Sequence, residues 1–347
     1  MNPALVDIGG WPALITRLLD RDDLPASHAR AAMATILAGD ATPAQLIGFI
    51  IALRAKGETP EELSGLLDAV LDAAEIVPLS ADLRDRAVDI VGTGGDRSHS
   101  INVSTMSAIV VAGAGVPVCK HGARASSSKC GTADVLEALG VNIEVGPEVV
   151  VRCVEEAGMG FCLAPRYHPA FRFAAAARRE VGVPTVFNLL GPMANPGRVR
   201  RQLIGVANPQ VAERMLASLR LHGSISSWVV HGGGLDELTT TGPSTVLSLR
   251  DGQVQSFTVD PVSLGLAPAI PDELQGGTPD VNAEAVRRVL AGDHGAHRNI
   301  VLLNAAAGLV VADRVADLAR GIEVAAESID SGSAARVLER LIEVSHR

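Results

Sequence analysis

Three short segments contain the residue types that could bind an anion or a metal ion. The first, residues 91–96 (VGTGGD), follows a short apolar strand predicted at 87–91. Glycines at the end of a strand let backbone amides approach an anion and adopt positive φ. Asn102 and Ser104 then open a predicted helix, whose first N–H groups suit phosphate. The pattern alone fits equally well a tight turn followed by an ordinary helix start, and it is neither a Walker loop nor a dinucleotide fingerprint.

The second segment, residues 120–129 (KHGARASSSK), comes after another predicted strand. It holds three cationic side chains, three hydroxyls and a glycine within one short stretch. This combination is typical of a pyrophosphate-binding loop and fits a merely solvated polar loop less well.

The third segment, residues 231–238 (HGGGLDEL), also follows a predicted strand and contains the adjacent carboxylates Asp236 and Glu237. Mg²⁺ prefers one or two carboxylates, with substrate phosphates and water completing its shell. An acidic surface turn would show the same pair. The prediction of a metal site therefore depends on all three segments following strands, because α/β folds bind ligands at the carboxyl ends of parallel strands.

A fourth segment begins at His168 and Pro169 and continues as a helical run containing Arg178. An arginine in this position could bind a carboxylate. Considered alone, the pattern favours a solvated helix face. We find no Ser-His-Asp or Cys-His arrangement that would indicate covalent catalysis.

The elements that must position these segments change type along the chain. The first 75 or so residues are predicted as helices only. Thr42 and Thr59 are each followed by Pro and then by Gln or Glu at the third helical position, a pattern that is typical of a capped helix start. Strands predicted at 87–91, 116–119, 160–163, 203–206 and 227–230 then alternate with helices, which indicates a mostly parallel sheet covered on both faces. A β-hairpin is predicted at 245–249 and 253–258.

Length and composition set further bounds. A chain of 347 residues is too long for one core and predicts two domains, a helical one at 1–78, with part of 168–190 as a candidate addition, and an α/β one at 79–347. The net charge of −9 argues against a nucleic-acid partner. The four cysteines lack CxxC spacing, and neither a signal peptide nor a membrane-spanning run is recognised, so we expect a cytoplasmic protein with reduced thiols.

The segments in combination resemble the anthranilate phosphoribosyltransferase family along nearly the whole chain. The resemblance is carried by residues 89–96 (DIVGTGGD), 102–105 (NVST), 120–140, 168–196 and 234–238 (GLDEL). It implies a small all-helical N-terminal domain plus a larger α/β domain with a mostly parallel central sheet flanked by helices, and a homodimer formed through the helical domains. It also implies Mg²⁺-dependent transfer of the phosphoribosyl group from 5-phosphoribosyl-1-pyrophosphate (PRPP) to the amine of anthranilate, giving N-(5-phosphoribosyl)anthranilate and pyrophosphate.

The resemblance also implies roles for individual residues, and no residue is assigned as a catalytic acid or base. The positions that would surround PRPP are Gly92, Gly95, Asp96, Ser100, Asn102, Ser104, Thr105, Lys120, His121, Gly122, Arg124, Ser126, Ser127, Ser128 and Thr132. The acceptor would meet Gly92, His121, Ala123 and Arg178, and the metal ion would meet Ser104, Asp236 and Glu237.

Two positions depart from the family pattern. Ala123 stands where the family usually has an asparagine that contacts the acceptor, and Arg97 stands where it usually has glycine. These departures leave open a phosphoribosyltransferase for a different aromatic acceptor. The Asp236–Glu237 pair and the pyrophosphate-sized loop argue against a nucleoside phosphorylase of the same fold. The retained Asp-Glu pair, NVST segment and lysine loop argue against a paralogue that binds nucleotides or partners without turnover.

Overall fold

The computed structural model describes residues 3–125 and 128–347 and is organised around a seven-stranded sheet with the order β3-β2-β1-β4-β5-β6-β7. The first five strands pair in parallel, and the last two add an antiparallel hairpin, as predicted. The strands are β1 (Val88–Gly92), β2 (Val118–Gly122), β3 (Met159–Leu163), β4 (Arg201–Gly205), β5 (Ser226–His231), β6 (Ser244–Arg250) and β7 (Gln253–Val259).

The parallel register brings the carboxyl ends of the strands to one edge. Gly92 at the end of β1 pairs with Gly205 at the end of β4, and Gly122 at the end of β2 pairs with Leu163 at the end of β3. The prediction placed the second strand at 116–119, whereas β2 extends to Gly122. Lys120 and His121 are therefore the last part of a buried strand, and the loop begins after them.

The N-terminal part of the chain consists of helices, and its strongest local signals are confirmed. At both predicted starts a threonine side chain accepts the N–H of the third helical residue, whose own side chain accepts the threonine N–H. These reciprocal bonds satisfy amides that a helix start would otherwise leave unpaired. The helices are α1 (Pro3–Asp7), α2 (Gly10–Leu19), α3 (Ala26–Leu37), α4 (Pro43–Lys56), α5 (Pro60–Asp72) and α6 (Ala81–Arg86).

The remaining helices cover the two faces of the sheet. They are α7 (Val103–Gly113), α8 (Thr132–Ala138), α9 (Pro147–Ala157), α10 (Ala164–Tyr167), α11 (Arg172–Val181), α12 (Val186–Met193), α13 (Ala212–Leu221), α14 (Pro279–Leu290), α15 (Ala296–Val311), α16 (Leu318–Asp330) and α17 (Ser333–Ser345). No helix in the described part of the chain is long and apolar enough to cross a membrane. The cytoplasmic location stays a prediction.

Alternating residues of β1 and β4 pack into two different apolar clusters. Ile90 and Leu203 pack into an apolar cluster with α7, α14, α15 and other helices of one face. Val91 and Ile204 point the other way and join a cluster that contains α2 to α5 together with α11, α12 and α13. The helices of the N-terminal part are thus fused to one face of the sheet by a continuous apolar core, which the α11–α13 region completes.

Candidate active site

One cavity of about 290 Å³ lies at the carboxyl edge of β1, β2 and β5 and gathers the three predicted segments. Most residues assigned to PRPP or metal line it. They are Gly92, Gly95, Asp96, Ser100, Asn102, Ser104, Lys120, His121, Gly122, Arg124, Ser128, Thr132, Asp236 and Glu237, with Ala123 beside them. Thr105 is fully buried on α7 and is not part of the lining. Ser126 and Ser127 lie outside the described residues.

Lys120 occupies the floor of this cavity. Its side chain is 1% exposed, and its ammonium group donates a hydrogen bond to the carbonyl of Ile90. Burial lowers the pKa of Lys120, while the nearby carboxylates of Asp89, Glu237 and Asp236 oppose this effect. The lysine was predicted as part of a polar loop, but the structure makes it the buried counter-charge of the carboxylates around it.

Glycines make room for the acidic segment. A Cβ atom at Gly92 or Gly205 would overlap Asp236, and one at Gly232 would crowd the carbonyl of Glu237. Gly205 and Gly232 are needed because the backbone of the acidic segment passes close to them, and Gly92 leaves room for the Asp236 carboxylate. This packing inserts Asp236 and Glu237 into the cavity, where they are only 9% and 8% exposed.

The electrostatics of the acidic pair suit a divalent cation. Burial, followed by the charge of Asp96, raises the pKa of Asp236 to about 7. Burial and the neighbouring Asp236 raise the pKa of Glu237, whereas Lys120 and a hydrogen bond from the Ser104 backbone oppose this rise. Among the described residues no three His, Cys, Asp or Glu side chains form a complete metal site. Two crowded carboxylates are, however, the incomplete oxygen donor set that Mg²⁺ takes when phosphate and water supply the other ligands.

The loop after β2 is organised by Asp134. Its carboxylate accepts hydrogen bonds from the backbone amides of Ala125 and Gly131, both at 2.8 Å. Arg124, predicted to contact PRPP, instead directs its guanidinium at Glu137 and Asp134, with N–O distances of 2.7 and 3.2 Å. Its charge is already paired, although its side chain remains at the cavity wall.

Arg178, predicted to meet the acceptor, lies on α11 outside the lining of this cavity. Its guanidinium carbon is 4.7 Å from the centroid of the Phe187 ring. Burial lowers its pKa, and within residues 3–125 and 128–347 no carboxylate pairs with it. A partly buried guanidinium without a carboxylate partner is suited to binding an anion.

A row of rings connects the cavity with Arg178. His121 meets His168 edge-on at 5.0 Å, His168 stacks on Phe171 at 5.1 Å, and Phe171 meets Phe187 at 5.4 Å. Burial lowers the pKa of His121 well below its ordinary value and that of His168 to about 4, so both rings are neutral at pH 7. The Nε2 atom of His121 is buried and has no hydrogen-bond partner in the described structure.

Both departures from the family pattern lie at this cavity. Arg97 adopts a φ of 61°, in the left-handed region that favours glycine. Its side chain is exposed, and no hydrogen bond or ion pair involves it in the part of the chain that is described. Ala123 is exposed at the rim. Arg97 therefore adds an unpaired cation to the cavity mouth at the cost of backbone strain.

Several buried polar residues that support the site were not predicted from the sequence. Asp89 accepts the backbone N–H of His121 at 3.1 Å and the side-chain amide of Asn195 at 2.8 Å. Asn282, on α14, donates to the side chain of Asn102 at 2.7 Å. The sequence could have indicated a role for Asp89, because a charged residue within an apolar strand is unusual. It could not have indicated roles for Asn195 and Asn282, because their hydrogen-bond partners are distant in the sequence.

The fold and cavity correspond to a known class of enzyme. Residues 84–335 match the α/β domain of the glycosyl transferase family, and residues 12–74 match the helical bundle domain of that family. The chain is therefore a transferase of this class. Among curated proteins it is 51% identical to the anthranilate phosphoribosyltransferase of Salinispora arenicola over 342 residues, covering 97% of each chain, and 50% identical to that of Saccharopolyspora erythraea over 337 residues, covering 96% and 95%.

Solved structures agree. Anthranilate phosphoribosyltransferase from Thermus thermophilus superposes with a TM-score of 0.91 at 38% identity, covering 96% of this chain and 99% of its own. The Saccharomyces cerevisiae enzyme in complex with PRPP and Mg gives 0.87 at 29% identity, covering 97% and 98%. Its complex with 4-fluoroanthranilate gives 0.87 at 28% identity, with the same coverage. The chain belongs to the anthranilate phosphoribosyltransferase family, which confirms the predicted family and fold class.

Proposed function

We propose that this enzyme transfers the phosphoribosyl group of PRPP to the amine of anthranilate in a Mg²⁺-dependent reaction that gives N-(5-phosphoribosyl)anthranilate and pyrophosphate. The observation that carries the proposal is the cavity in which two buried carboxylates face a glycine loop and the start of α7. The yeast relative's structure with PRPP and Mg supports the same ligands.

The PRPP site would use backbone more than cationic side chains. Gly95 adopts a φ of 78° and has no side chain, so its amide can approach a phosphate, whereas the Gly94 amide donates to the Asp236 carboxylate at 2.7 Å. In the described structure the side chain of Asn102 does not cap the start of α7, whereas the Ser104 backbone N–H in its first turn donates to the Glu237 carboxylate. The partial positive charge at this helix start and the nearby Arg97 cation can attract phosphate oxygens.

Ser104, Asp236 and Glu237 would hold Mg²⁺, as the family resemblance implies. When bound, the ion would neutralise charge on the departing pyrophosphate. Lys120 lies below the two carboxylates, and its charge opposes the rise in the pKa of Glu237 that burial causes. We therefore assign to Lys120 an electrostatic role in the floor in addition to the predicted contact with PRPP.

The acceptor would lie along the row of rings. Arg178 supplies a guanidinium for the anthranilate carboxylate, and Phe171, which is only partly buried, supplies an apolar surface for its ring. An anilinic amine is a modest nucleophile, so we expect departure of the leaving group to precede bond formation. The protein would then contribute chiefly by positioning the amine against the ribose carbon, and no side chain is assigned as general base.

The test is an assay of the purified protein with PRPP and Mg²⁺ across a panel of aromatic amines and acids, following pyrophosphate release and the loss of anthranilate fluorescence. We expect transfer to anthranilate that stops when the divalent cation is removed. Because Ala123 and Arg97 alter the cavity, the second candidate is a different aromatic acceptor, which would react in the panel while anthranilate does not. Phosphorolysis of nucleosides without PRPP would instead indicate a nucleoside phosphorylase.

We further propose a homodimer formed through the helical domains. A groove between α3 and α5 is lined largely by alanines, which allow helices of a second copy to approach closely. Sedimentation velocity of the purified protein tests this state, and a monomer at the concentrations used in the assay would contradict it.

A further inference from the structure

Asn304 is a fully buried polar residue in the middle of α15, a helix whose neighbouring positions are apolar. Its side-chain oxygen accepts the backbone N–H of Leu238 at 2.9 Å. Its side-chain nitrogen donates to the carbonyl of the same Leu238 at 2.8 Å and to the carbonyl of Ile300 at 2.9 Å. One carboxamide therefore binds both backbone groups of a single residue in another segment.

This arrangement is specific to a primary amide. Asparagine is a poor helix former in a helix interior, and burying its amide is unfavourable unless every bond is satisfied. A leucine at position 304 would suit the surrounding core but would leave both backbone groups of Leu238 unpaired. The presence of asparagine at position 304 is therefore explained by its hydrogen bonds to Leu238 and not by the apolar surroundings of α15.

The segment that Asn304 holds is the acidic one. Leu238 directly follows Asp236 and Glu237, two carboxyl groups that are 9% and 8% exposed and therefore nearly removed from water. On the opposite side this segment rests against the strand ends at Gly92 and Gly205, where no side chain could fit. Repulsion between two buried carboxylates favours their separation, so a fixed backbone is needed to keep them side by side.

We propose that Asn304 is a positioning residue of the divalent-cation site: by clamping the backbone of Leu238 in both directions it fixes Asp236 and Glu237 in the cavity. The proposal rests on the proposed function insofar as the pair is taken to bind the cation together with PRPP. Asn304 itself lies outside the cavity lining and does not meet substrate. Metal sites depend on such supporting hydrogen bonds because these orient the ligands before the ion arrives.

Two variants test the clamp. Asn304→Asp keeps the acceptor for the Leu238 N–H but replaces the donor with an oxygen that faces two carbonyls. Asn304→Ser is smaller and uncharged, so it provides a foldable variant if the aspartate disrupts the core. The matched control is Leu309→Ala on the same helix, since Leu309 is also fully buried but packs only in the apolar cluster.

Electron paramagnetic resonance measures the binding of Mn²⁺ to the protein. PRPP is present and the acceptor is absent, so that the measurement does not depend on turnover. We expect both Asn304 variants to raise the dissociation constant of Mn²⁺ by about 10- to 100-fold. In steady-state assays saturating Mg²⁺ should restore most of kcat, while KM for the acceptor changes little. Leu309→Ala should lower the melting temperature and leave the Mn²⁺ dissociation constant unchanged.

Wild-type Mn²⁺ affinity in a folded Asn304→Ser protein would overturn the proposal, as would equal weakening of Mn²⁺ binding by Leu309→Ala. In both cases a wild-type protein that transfers the phosphoribosyl group leaves the proposed function intact. A wild-type protein that neither binds Mn²⁺ with PRPP nor shows transfer would overturn the proposed function, and the assignment of Asn304 would fall with it.

Discussion

At the scale of single residues, Asp236 and Glu237 show how burial changes the chemistry of ordinary carboxyl groups. In water both would be ionised at pH 7 without difficulty. In the cavity, removal from water raises the pKa of each, with the charge of Asp96 adding to the rise for Asp236 and that of Asp236 adding to the rise for Glu237, and Lys120 offsets only part of the effect on Glu237. Without a cation, the buried pair therefore destabilises the folded state. A bound cation would neutralise the two carboxylates and remove this destabilisation, which favours cation binding.

This reasoning predicts opposite effects of one change on activity and on stability. The double variant Asp236→Asn, Glu237→Gln should abolish transfer, because the cation loses both anionic ligands. Without a cation at pH 8 the same variant should be more stable than wild type, by about 1–4 kcal/mol, since neutral groups replace buried like charges. Thermal denaturation with and without Mg²⁺ and PRPP checks this. Near-normal turnover, or a cation-free variant less stable than wild type, would contradict it.

Variants of Arg97 can distinguish the effect of its charge on PRPP binding from the effect of its backbone strain on stability. Its φ of 61° costs an L-residue about 1–2 kcal/mol relative to glycine, and the greater unfolded-state entropy of glycine offsets about 0.4–1 kcal/mol of any gain. Arg97→Gly should therefore be neutral to slightly stabilising, whereas Arg97→Ala keeps the strain and loses the charge.

Both Arg97 variants should raise KM for PRPP by the same factor, roughly two- to fivefold, as expected for an exposed ionic contact of up to about 1 kcal/mol. The two measurements are urea denaturation for the backbone effect and KM for PRPP at low and high salt for the charge effect. An unchanged KM in both variants would show that this guanidinium does not face the phosphates.

At the scale of elements, the site depends on helices that contribute no residue to the family motifs. Asn282 of α14 binds Asn102 at the start of α7 and also accepts the backbone N–H of Gly277 at 2.7 Å. The chain near Leu274 pairs with the chain near Ile101, so the PRPP loop is tied to the segment that precedes α14. The start of α7 is thereby oriented by residues about 180 positions away.

We predict that Asn282→Ala raises KM for PRPP by roughly three- to tenfold, the loss expected for one hydrogen bond between neutral groups, with a smaller change in kcat. Val286→Ala on the same helix removes a buried apolar side chain and serves as the control. It should lower stability without changing KM for PRPP. Equal changes of KM in both variants would mean that α14 acts only through general packing.

The contrast between local and distant signals explains what could be predicted from the sequence. The starts of α4 and α5 depend on side chains three residues apart, so the threonine pattern was sufficient. The parallel sheet followed from alternating strands and helices, and the three loops met because parallel strands share an edge. The end of β2 was predicted too early because Lys120 and His121 are polar, and only their buried partners Asp89 and Ile90 make them compatible with a strand.

At the scale of the whole molecule, apolar clusters cover both faces of one sheet, and the rings of His121 and His168 lie on the side that includes the N-terminal helices. His168 is 2% exposed, and its Nε2 lies 2.8 Å from the carbonyl of Ala194. It sits between His121 and Phe171 in the region where α11 and α12 join the N-terminal helices. Protonation of this buried ring would place a charge at the junction, with consequences for the stability of the entire fold.

We predict that the protein loses stability as the pH falls from about 6.5 to 4, in part because His168 cannot accept a proton while folded. Its folded pKa is about 4, below the ordinary value of 6.5. In this window the unfolded chain binds the proton and the folded protein does not, so unfolding becomes more favourable as the pH falls. Each pH unit costs about 1.4 kcal/mol for one such histidine, or about 3 kcal/mol over the window.

The variant His168→Gln has no side chain that takes up a proton in this pH range. It retains a side-chain nitrogen that can donate to the Ala194 carbonyl. Urea denaturation at a series of pH values should therefore show a shallower acid decline for the variant than for wild type, even if the variant is less stable at pH 8 through loss of ring stacking. The decline should not vanish, because burial also lowers the pKa of His121. Parallel curves for the two proteins would mean that His168 accepts its proton in the folded state, and that the junction between the N-terminal helices and the sheet is open enough to hydrate the charge.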